Sequence, residues 1–493
     1  MKHLFKLTLL LLALLSTAKP ALAYDFEVDG IYYNINGTNA SVAAPPTNIY
    51  YSGYVTIPSA VSYSGTTYAV TKIDRPAFAG CSNLTGVTIP NSVTEIGAYA
   101  FSSCSGLTSI TIPSSVKKIG NLAFKGCTAL HTLNFNAELC NDFSSDVSSI
   151  EPYQVAPFYN LNISTINIGA SVKRLPAYFA SSLTKLTSIT FPNTLNEIGN
   201  LAFIYCTGLS SVTIPSSINF IGAEPFAACT GLTSMSVASD NPDYDSRNNC
   251  NGIIETATNN LIAGCINTVI PNTVTKMDGA FAGYETLTNI DIPNSITYIG
   301  WQAFFGCTNL TSVNIPSSVI SIGNEAFALS GLTSIEIPNS VTYIDMGAFQ
   351  ECTNLTNVTI GKGVNTISLN VFYDCTSLRT MTCLAPTPPS TNYYTFYNIY
   401  GNVTLYVPDE SLTAYQTANN WKNFYSILPI SEQPTAEMGD VDGDGKVDIS
   451  DVTTLIDLLL NGGEMTAGAD VDGDGKVDIT DVTTLIDKLL NGN

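Results

Sequence analysis

Apolar side chains recur along most of this chain in two interleaved rhythms. The short one has period two: in Leu107-Thr-Ser-Ile110-Thr-Ile112-Pro113 the isoleucines alternate with Ser109 and Thr111. Such alternation predicts a short strand, with Ile110 and Ile112 inward, the hydroxyl side chains outward and Pro113 at its end. The long rhythm sets Phe78, Phe101 and Phe124 at intervals of 23 residues, and repeats that interval within Phe203 and Phe226, within Phe281, Phe304 and Phe327, and within Phe349 and Phe372. In most copies a small residue precedes the phenylalanine and a small-Cys-Ser/Thr turn follows it. Between strand and phenylalanine lies a second apolar segment, Val116-Lys-Lys-Ile119-Gly120, whose glycine marks the turn before Ala123-Phe124.

A fixed period of this length signals coils stacked along an axis. No single coil closes a core; about a dozen do, because each inward Leu, Ile, Val and Phe packs on its copies above and below. A chain that always winds the same way must pair its strands in parallel, at ~4.8 Å per coil.

The pattern Leu-x-x-Ile-x-Ile-Pro, then Val-x-x-Ile-Gly-x-x-Ala-Phe-x-x-Cys, resembles the BspA-type leucine-rich repeat family of bacterial surface proteins, over about Ile57 to Thr376. The resemblance implies a β-rich leucine-rich-repeat solenoid with a parallel sheet, in the α/β repeat class, and an adhesin-like binding role. Two gaps interrupt the period. Between Phe124 and Phe179 a degenerate coil near Ile163-Ser-Thr-Ile166-Asn-Ile168 follows an insertion from Asn136 to Ala156, expected as a surface loop. Between Phe226 and Phe281 the segment from Asn241 to Ala263 reads as an inserted strand pair.

Solenoid ends need covering. Residues 24–71, rich in Tyr, Val and Ile with turns at Asn36-Gly37 and Ser64-Gly65, predict a small β cap before repeats over 72–378. Residues 379–430, with strands such as Val403-Thr-Leu-Tyr-Val407, predict a cap behind them, and the polar 431–438 a linker. Residues 1–23 read as a signal peptide: Lys2 and Lys6, an apolar run Leu7–Leu15, and Ala21-Leu22-Ala23 as the cleavage pattern. That run is too short to span a bilayer, so the expected location is secreted, extracellular or at a bacterial surface, with no transmembrane segment.

The formal net charge of -21 excludes nucleic acid and anionic membrane as partners, since both need clustered cations. Two histidines, His3 and His131, cannot build a multi-histidine zinc site, and the repeats hold no triad or phosphate loop. The chain is therefore expected not to be an enzyme, with no catalytic residues, and His131 is expected as a surface residue.

Chemistry concentrates at the C-terminal end. Asp440, Asp442, Asp444, Asp448 and Asp451, and again Asp470, Asp472, Asp474, Asp478 and Asp481, fill positions 1, 3, 5, 9 and 12 of two loops. That spacing wraps oxygen ligands around one Ca²⁺ each, with the backbone carbonyls of Lys446 and Lys476 at position 7 and Gly445 and Gly475 at the sharp turn. A helix is readable after each loop, with Val452, Leu455, Ile456 and Leu459 on one face and Val482, Leu485, Ile486 and Leu489 on the other copy's. Asn461-Gly462 and Asn491-Gly492 end them as left-handed caps. Asp at position 12 and the missing first helix give residues 439–493 a resemblance to type I dockerins, a small all-α calcium-binding module. The resemblance implies two Ca²⁺ ions and a cohesin-like partner contacting Ile449, Ser450, Ile479 and Thr480. From Gly439 onward 12 Asp and one Glu face three Lys, so cation binding should supply folding energy.

Outward strand positions form a second candidate site, expected as one continuous concave face: Ser109, Thr111, Ser188, Thr190, Ser211, Thr213, Asn289, Asp291, Ser312, Asn314, Ser334, Glu336, Asn357 and Thr359. Hydroxyls and amides in such an array suit a protein or glycan ligand. Eight cysteines three residues after the repeat phenylalanine (Cys81, Cys104, Cys127, Cys206, Cys229, Cys307, Cys352, Cys375) are expected as buried thiols, because one sulfur cannot bond both neighbours and Tyr284 and Ser330 stand in for two of them. Cys250 and Cys265 flank the inserted hairpin, where a bridge stays open. Two functions remain: a macromolecule-binding repeat protein tethered by its tail, or a structural spacer whose tail alone binds.

Overall fold

The computed structural model describes residues 24–143, 152–433, 438–442, 446–462, 468–474 and 476–491. The expected signal peptide, Asp444, Gly445, Gly475, Gly492, half of the linker and part of the 136–156 insertion lie outside them. The repeats form a parallel β solenoid, as the period predicts. Coils are joined to their neighbours in up to three places. Long strands such as Ser109–Ile112 and Thr132–Phe135 pair in parallel, Ile110 opposite Leu133. Two-residue strands such as Glu95–Ile96 and Lys118–Ile119 pair likewise on a second side. A third ladder runs through the phenylalanine turns, where the Phe78 N–H donates to Ala100 O at 2.7 Å and Phe101 N–H to Ala123 O at 2.7 Å. This turn ladder was not readable from the periodicity, because the turn residues carry no strand pattern.

The phenylalanines stack. Phe78, Phe101, Phe124 and Phe158 lie 4.9–5.1 Å apart with near-parallel rings. A second column from Phe281 through Phe304, Phe327, Phe349 and Phe372 reaches Phe396. All of these rings are fully buried. Each parallel pair adds ~0.5–1.5 kcal/mol to the burial of its rings.

Two sequence readings change. Phe179 is not the column phenylalanine of its coil. Its neighbour Ala180 holds that place, donating its N–H to Ala202 O, while the Phe179 ring sits one residue earlier, edge-on to Phe135 at 4.9 Å. Tyr-Phe-Ala has replaced the usual x-Ala-Phe, so counting phenylalanines misplaces the coil by one residue. The ring missing from the count is Phe158, whose coil is hidden behind the insertion.

At the N-terminal end, strands Phe26–Val28, Ile31–Asn36 and Asn39–Val42 form an antiparallel meander that joins the short-strand sheet through Thr66–Ile73. At the other end the solenoid winds on beyond the last regular repeat. Strands Thr380–Cys383, Thr404–Val407 and Ser426–Pro429 extend the long-strand sheet in parallel, and Trp421 packs edge-on to Phe396 at 4.8 Å. The expected strand pair is present as the antiparallel hairpin Gly252–Glu255 and Asn260–Gly264.

The repeat glycines are close-approach positions. A Cβ on Gly120 would lie 2.3 Å from Ala98 N, and one on Gly199 2.4 Å from Ala177 N, so a side chain there would push coils apart.

The tail has its own small core of Val441, Val452, Leu455, Ala469, Val471, Val482 and Leu485. Its helices run Ile449–Asn461 and Ile479–Asn491. Ile456 and Ile486, expected on the buried face, are 38% and 36% exposed, while Leu458 packs inward beside Leu459. The buried face is thus rotated slightly from the one read off the sequence. Gly462 ends the first helix at φ +75°, but with ψ 152°, outside the left-handed helical region expected of it. Among the described residues no helix is long and apolar enough to cross a membrane.

Candidate binding face and candidate metal centre

The expected rung residues lie on the outer side of the long-strand face. Ser109, Thr111, Ser188, Thr190, Ser211, Thr213, Asn289, Asp291, Asn314, Glu336 and Asn357 are exposed, and Ser312, Ser334 and Thr359 half-buried. Their inward neighbours Ile110, Ile112, Val212, Ile335 and Val358 are buried, as period two requires.

The face is not one continuous sheet. Among the described residues its strands form separate groups, including Ser109–Ile112 to Thr165–Ile168, Ser211–Ile214 with Ser234–Val237, and Ser334–Ile337 onward. Asn289, Asp291, Ser312 and Asn314 sit on segments outside any strand. The break follows the inserted hairpin. In the coil that closes it, Gly264 takes the phenylalanine place, its N–H donating to Ala280 O, and Pro271 comes seven positions later, against twelve from Phe101 to Pro113, too few to lay a long strand.

Rung residues also bond to one another. Asn167 Nδ2 donates to Asn134 Oδ1 at 2.8 Å, Asn134 Nδ2 to Thr111 Oγ1 at 3.2 Å, and the Thr213 and Ser236 hydroxyls lie 3.0 Å apart. Asn134, Asn167, Ser234 and Ser236 were missed in the sequence, although stepping 23 residues on from Thr111 and Thr213 finds Asn134 and Ser236. Beside Thr190, Ser211 and Thr213 the surface folds into a hollow of about 510 Å³ that Asn193 and Asp240 also line.

The tail gathers carboxylates from distant loop positions. Oxygens of Asp440, Asp442 and Asp451 all lie within 4.8 Å of one another, as do those of Asp470, Asp472 and Asp481. Asp451 is fully buried. Its Oδ1 accepts from Val441 N–H at 2.6 Å and Asp442 N–H at 3.0 Å, and its Oδ2 from Asp448 N–H at 2.7 Å. Asp481 repeats this with Val471, Asp472 and Asp478. The position-12 aspartate therefore folds the loop around itself.

The structure does not draw every expected ligand into these clusters. Asp448 and Asp478 cap the helices, accepting from Ser450 and Thr480 N–H at 2.8 Å, and these bonds hold their carboxyls below the usual range. Asp474 Oδ1 accepts from Lys476 N–H. Asp444 falls outside the described residues. The donors present are hard carboxylate oxygens, which fit Ca²⁺ and exclude a thiophilic metal.

Gly439 N–H donates to Gly468 O at 3.0 Å, tying the two loops back to back. Ile449 and Ile479 project 70% and 66% exposed from the helix starts, beside Ser450 and Thr480.

All twelve cysteines are buried free thiols, Cys250 and Cys265 included. Their sulfurs do more than pack. Cys104 Sγ donates to Phe78 O, Cys127 to Phe101 O, Cys307 to Phe281 O and Cys375 to Phe349 O, at 3.1–3.2 Å. Burial pushes the Cys81 thiol up to about 11 and the Cys307 thiol up to about 12, far from the range of a nucleophile. His131 is exposed, its Nδ1 2.9 Å from Thr132 Oγ1.

The sequence model of the BspA type leucine rich repeat region matches six copies, over residues 59–147, 141–233 and 270–402, and that of the dockerin type I domain matches residues 438–490. No curated protein matches the chain. Among solved structures, a leucine rich cell surface protein from Faecalibacterium prausnitzii is 26% identical, with a TM-score of 0.51 over 73% of this chain and 94% of its own. The pneumococcal vaccine antigen PcpA shares the fold at 18% identity, with a TM-score of 0.54 over 83% of this chain and 98% of its own. Stacked coils with a buried phenylalanine column, ending in a duplicated aspartate loop and helix, place the chain in the BspA-type leucine-rich repeat family, with a dockerin type I domain at its C-terminal end.

Proposed function

We propose that the protein is secreted, or held at a bacterial surface, and binds a macromolecular ligand through the rung face of its solenoid, in an adhesin-like role. Its tail attaches it to a cohesin-type partner. The carrying observation is the array of hydroxyl, amide and carboxylate side chains, most of them exposed, on coils whose inward side chains are buried or partly buried: a recognition surface that a packed core holds in place. Both modules belong to families of binding and scaffold domains, which supports a non-catalytic role.

In the tail, Asp440, Asp442 and Asp451 with the Lys446 carbonyl would hold one Ca²⁺, and Asp470, Asp472 and Asp481 with the Lys476 carbonyl a second. Asp444, Asp448, Asp474 and Asp478 complete the shells directly or through water. Ile449 and Ile479, with Ser450 and Thr480, supply the docking contact. The division into 24–71, 72–378, 379–430, 431–438 and 439–493 is proposed on the same footing.

The test is capture by the immobilised chain from bacterial and host surface extracts, with Thr111→Lys and Thr213→Lys as rung variants. Capture lost in these variants and kept in Ile449→Ala/Ile479→Ala supports the reading. The rung bonds from Asn167 to Asn134 to Thr111 favour a second reading, a spacer whose polar side chains satisfy one another. A chain that captures partners only through its tail would establish that one.

A further inference from the structure

We propose that Tyr50 and Tyr54 form the aromatic end of a site for a neutral polysaccharide that runs from them along the rung face. The proposal rests on that face being a binding surface and names the chemistry of its ligand.

A cavity of about 530 Å³ opens at the N-terminal end of the solenoid, lined by Asp29, Tyr32, Tyr50, Tyr51, Tyr54 and Pro58 among others. Its size is that of a small-molecule site. Tyr50 and Tyr54 are 59% and 68% exposed, as are other rings such as Tyr393 and Tyr425, but these two line the cavity. They are nevertheless fixed. A Cβ on Gly86 would lie 2.6 Å from two Tyr54 ring carbons, and one on Gly80 3.2 Å from Tyr50 Cε1, so each ring rests on a glycine. The Tyr54 hydroxyl is further held 2.8 Å from Thr88 Oγ1.

Gly86 occupies the register position that the next coil fills with Ser109, and its backbone is in an ordinary conformation. Room for the tyrosine ring, not chain geometry, calls for a glycine there.

A fixed ring with an open surface stacks on the C–H face of a sugar, and phenol and carboxylate groups at its edge exchange hydrogen bonds with sugar hydroxyls. Among the described residues Asp29 is the single charged side chain lining the cavity and no Lys or Arg lines it, and the chain carries a net charge of -21; both disfavour an anionic glycan. Tyr54 lies on strand Gly53–Thr56, paired with Leu84–Thr88 in a two-stranded group of its own, and the neighbouring group carries Ser109, Thr111 and Asn134 at the following rung positions, all hydroxyl or amide like Thr88. The rung spacing of ~4.8 Å is close to the length of one hexose unit. A proline-rich peptide also suits a tyrosine-lined groove but needs apolar ridges beyond the rings, which these rungs do not offer.

Native gel electrophoresis of the full chain through gels containing soluble galactomannan, arabinoxylan or mixed-linkage β-glucan tests the proposal, with melting temperatures confirming that each variant folds. Retardation of the wild type in at least one gel is expected. Tyr54→Ala and Gly86→Ser should weaken it tenfold or more, while Tyr54→Phe, which keeps the ring, retains most of it. Three gels without retardation, Tyr54→Ala retarded like the wild type, or binding only to a polyproline peptide would each overturn it. Loss in Thr111→Lys with retention in Tyr54→Ala would remove the tyrosine site and leave the rung face standing, so the two readings fail separately.

Discussion

The thiol of Cys104 donates to the carbonyl oxygen of Phe78, 26 residues earlier and one coil away, at 3.1 Å. The same oxygen accepts the N–H of Cys81 in its own turn at 3.1 Å. A buried carbonyl has two lone pairs to satisfy, and the cysteine of the following coil supplies the second donor from a side chain small enough to stay inside the stack. The cysteine column therefore stitches successive phenylalanine turns together.

Buried sulfurs in such bonds should resist reagents. In the native chain at pH 8 a thiol-specific disulfide reagent is expected to modify none of the twelve cysteines, and in denaturant all twelve. Rapid labelling of Cys104 or Cys307 in the folded chain would contradict the assignment.

Phe304 stacks between Phe281 and Phe327, so Phe304→Ala opens a gap in a continuous column. A loss of ~3–5 kcal/mol is expected. Hydrogen exchange should locate it as faster opening of residues around 281–327, with the N-terminal coils unchanged.

Glu224 lies buried next to Gly279, and burial first, then the charge of Glu325, raises its carboxyl to about 8. The folded state keeps this proton while the unfolded chain releases it near ~4.3, so stability falls as pH rises from about 4 to about 8. Glu224→Gln should remove that slope. The variant is expected to match the wild type near pH 4 and to exceed it at pH 8, by at most on the order of 5 kcal/mol. Equal melting temperatures at both pH values would count against a buried neutral carboxyl.

Calcium removal should unfold the tail and spare the solenoid. Far-ultraviolet circular dichroism of the full chain with a chelator is expected to lose the signal of helices 449–461 and 479–491 and keep the β signal, with recovery on adding Ca²⁺. Calorimetric titration should count two ions, and Asp451→Asn should reduce the count to one.

A Cβ on Gly120 would sit 2.3 Å from the Ala98 backbone, so Gly120→Ala should cost ~2 kcal/mol or more, although alanine usually favours folding over glycine. Chemical denaturation measures it, and a neutral result would mean that coils separate more easily than their hydrogen bonds suggest.

Periodicity made the solenoid legible because each inward residue meets its own copy. Phe101 and Phe124 are 23 residues apart for the same reason that their rings stack at 5.1 Å. Where a coil solves the packing differently the pattern misleads, as at Phe179, whose ring fills the alanine position while Ala180 takes its place. The sulfur bonds could not be read at all, since the acceptor of Cys104 is a backbone atom in another coil. In the tail, carboxylate spacing announced cation chemistry, but which aspartates face one another depends on backbone: Asp451 is drawn in by three N–H groups, whereas Asp448 accepts from Ser450 at the helix start.

The N–H of Ala228 reaches Ala282 O directly across the hairpin insertion, in the bond that Phe-turn residues elsewhere make between coils 22 or 23 residues apart. At the phenylalanine turns the stack thus closes across the extra segment, whose strand Asn260–Gly264 meanwhile pairs in parallel with Lys276–Met277 and begins a new short-strand sheet. A molecule assembled this way can take in extra chain where two of its ladders are interrupted, because the third carries the stack across the gap.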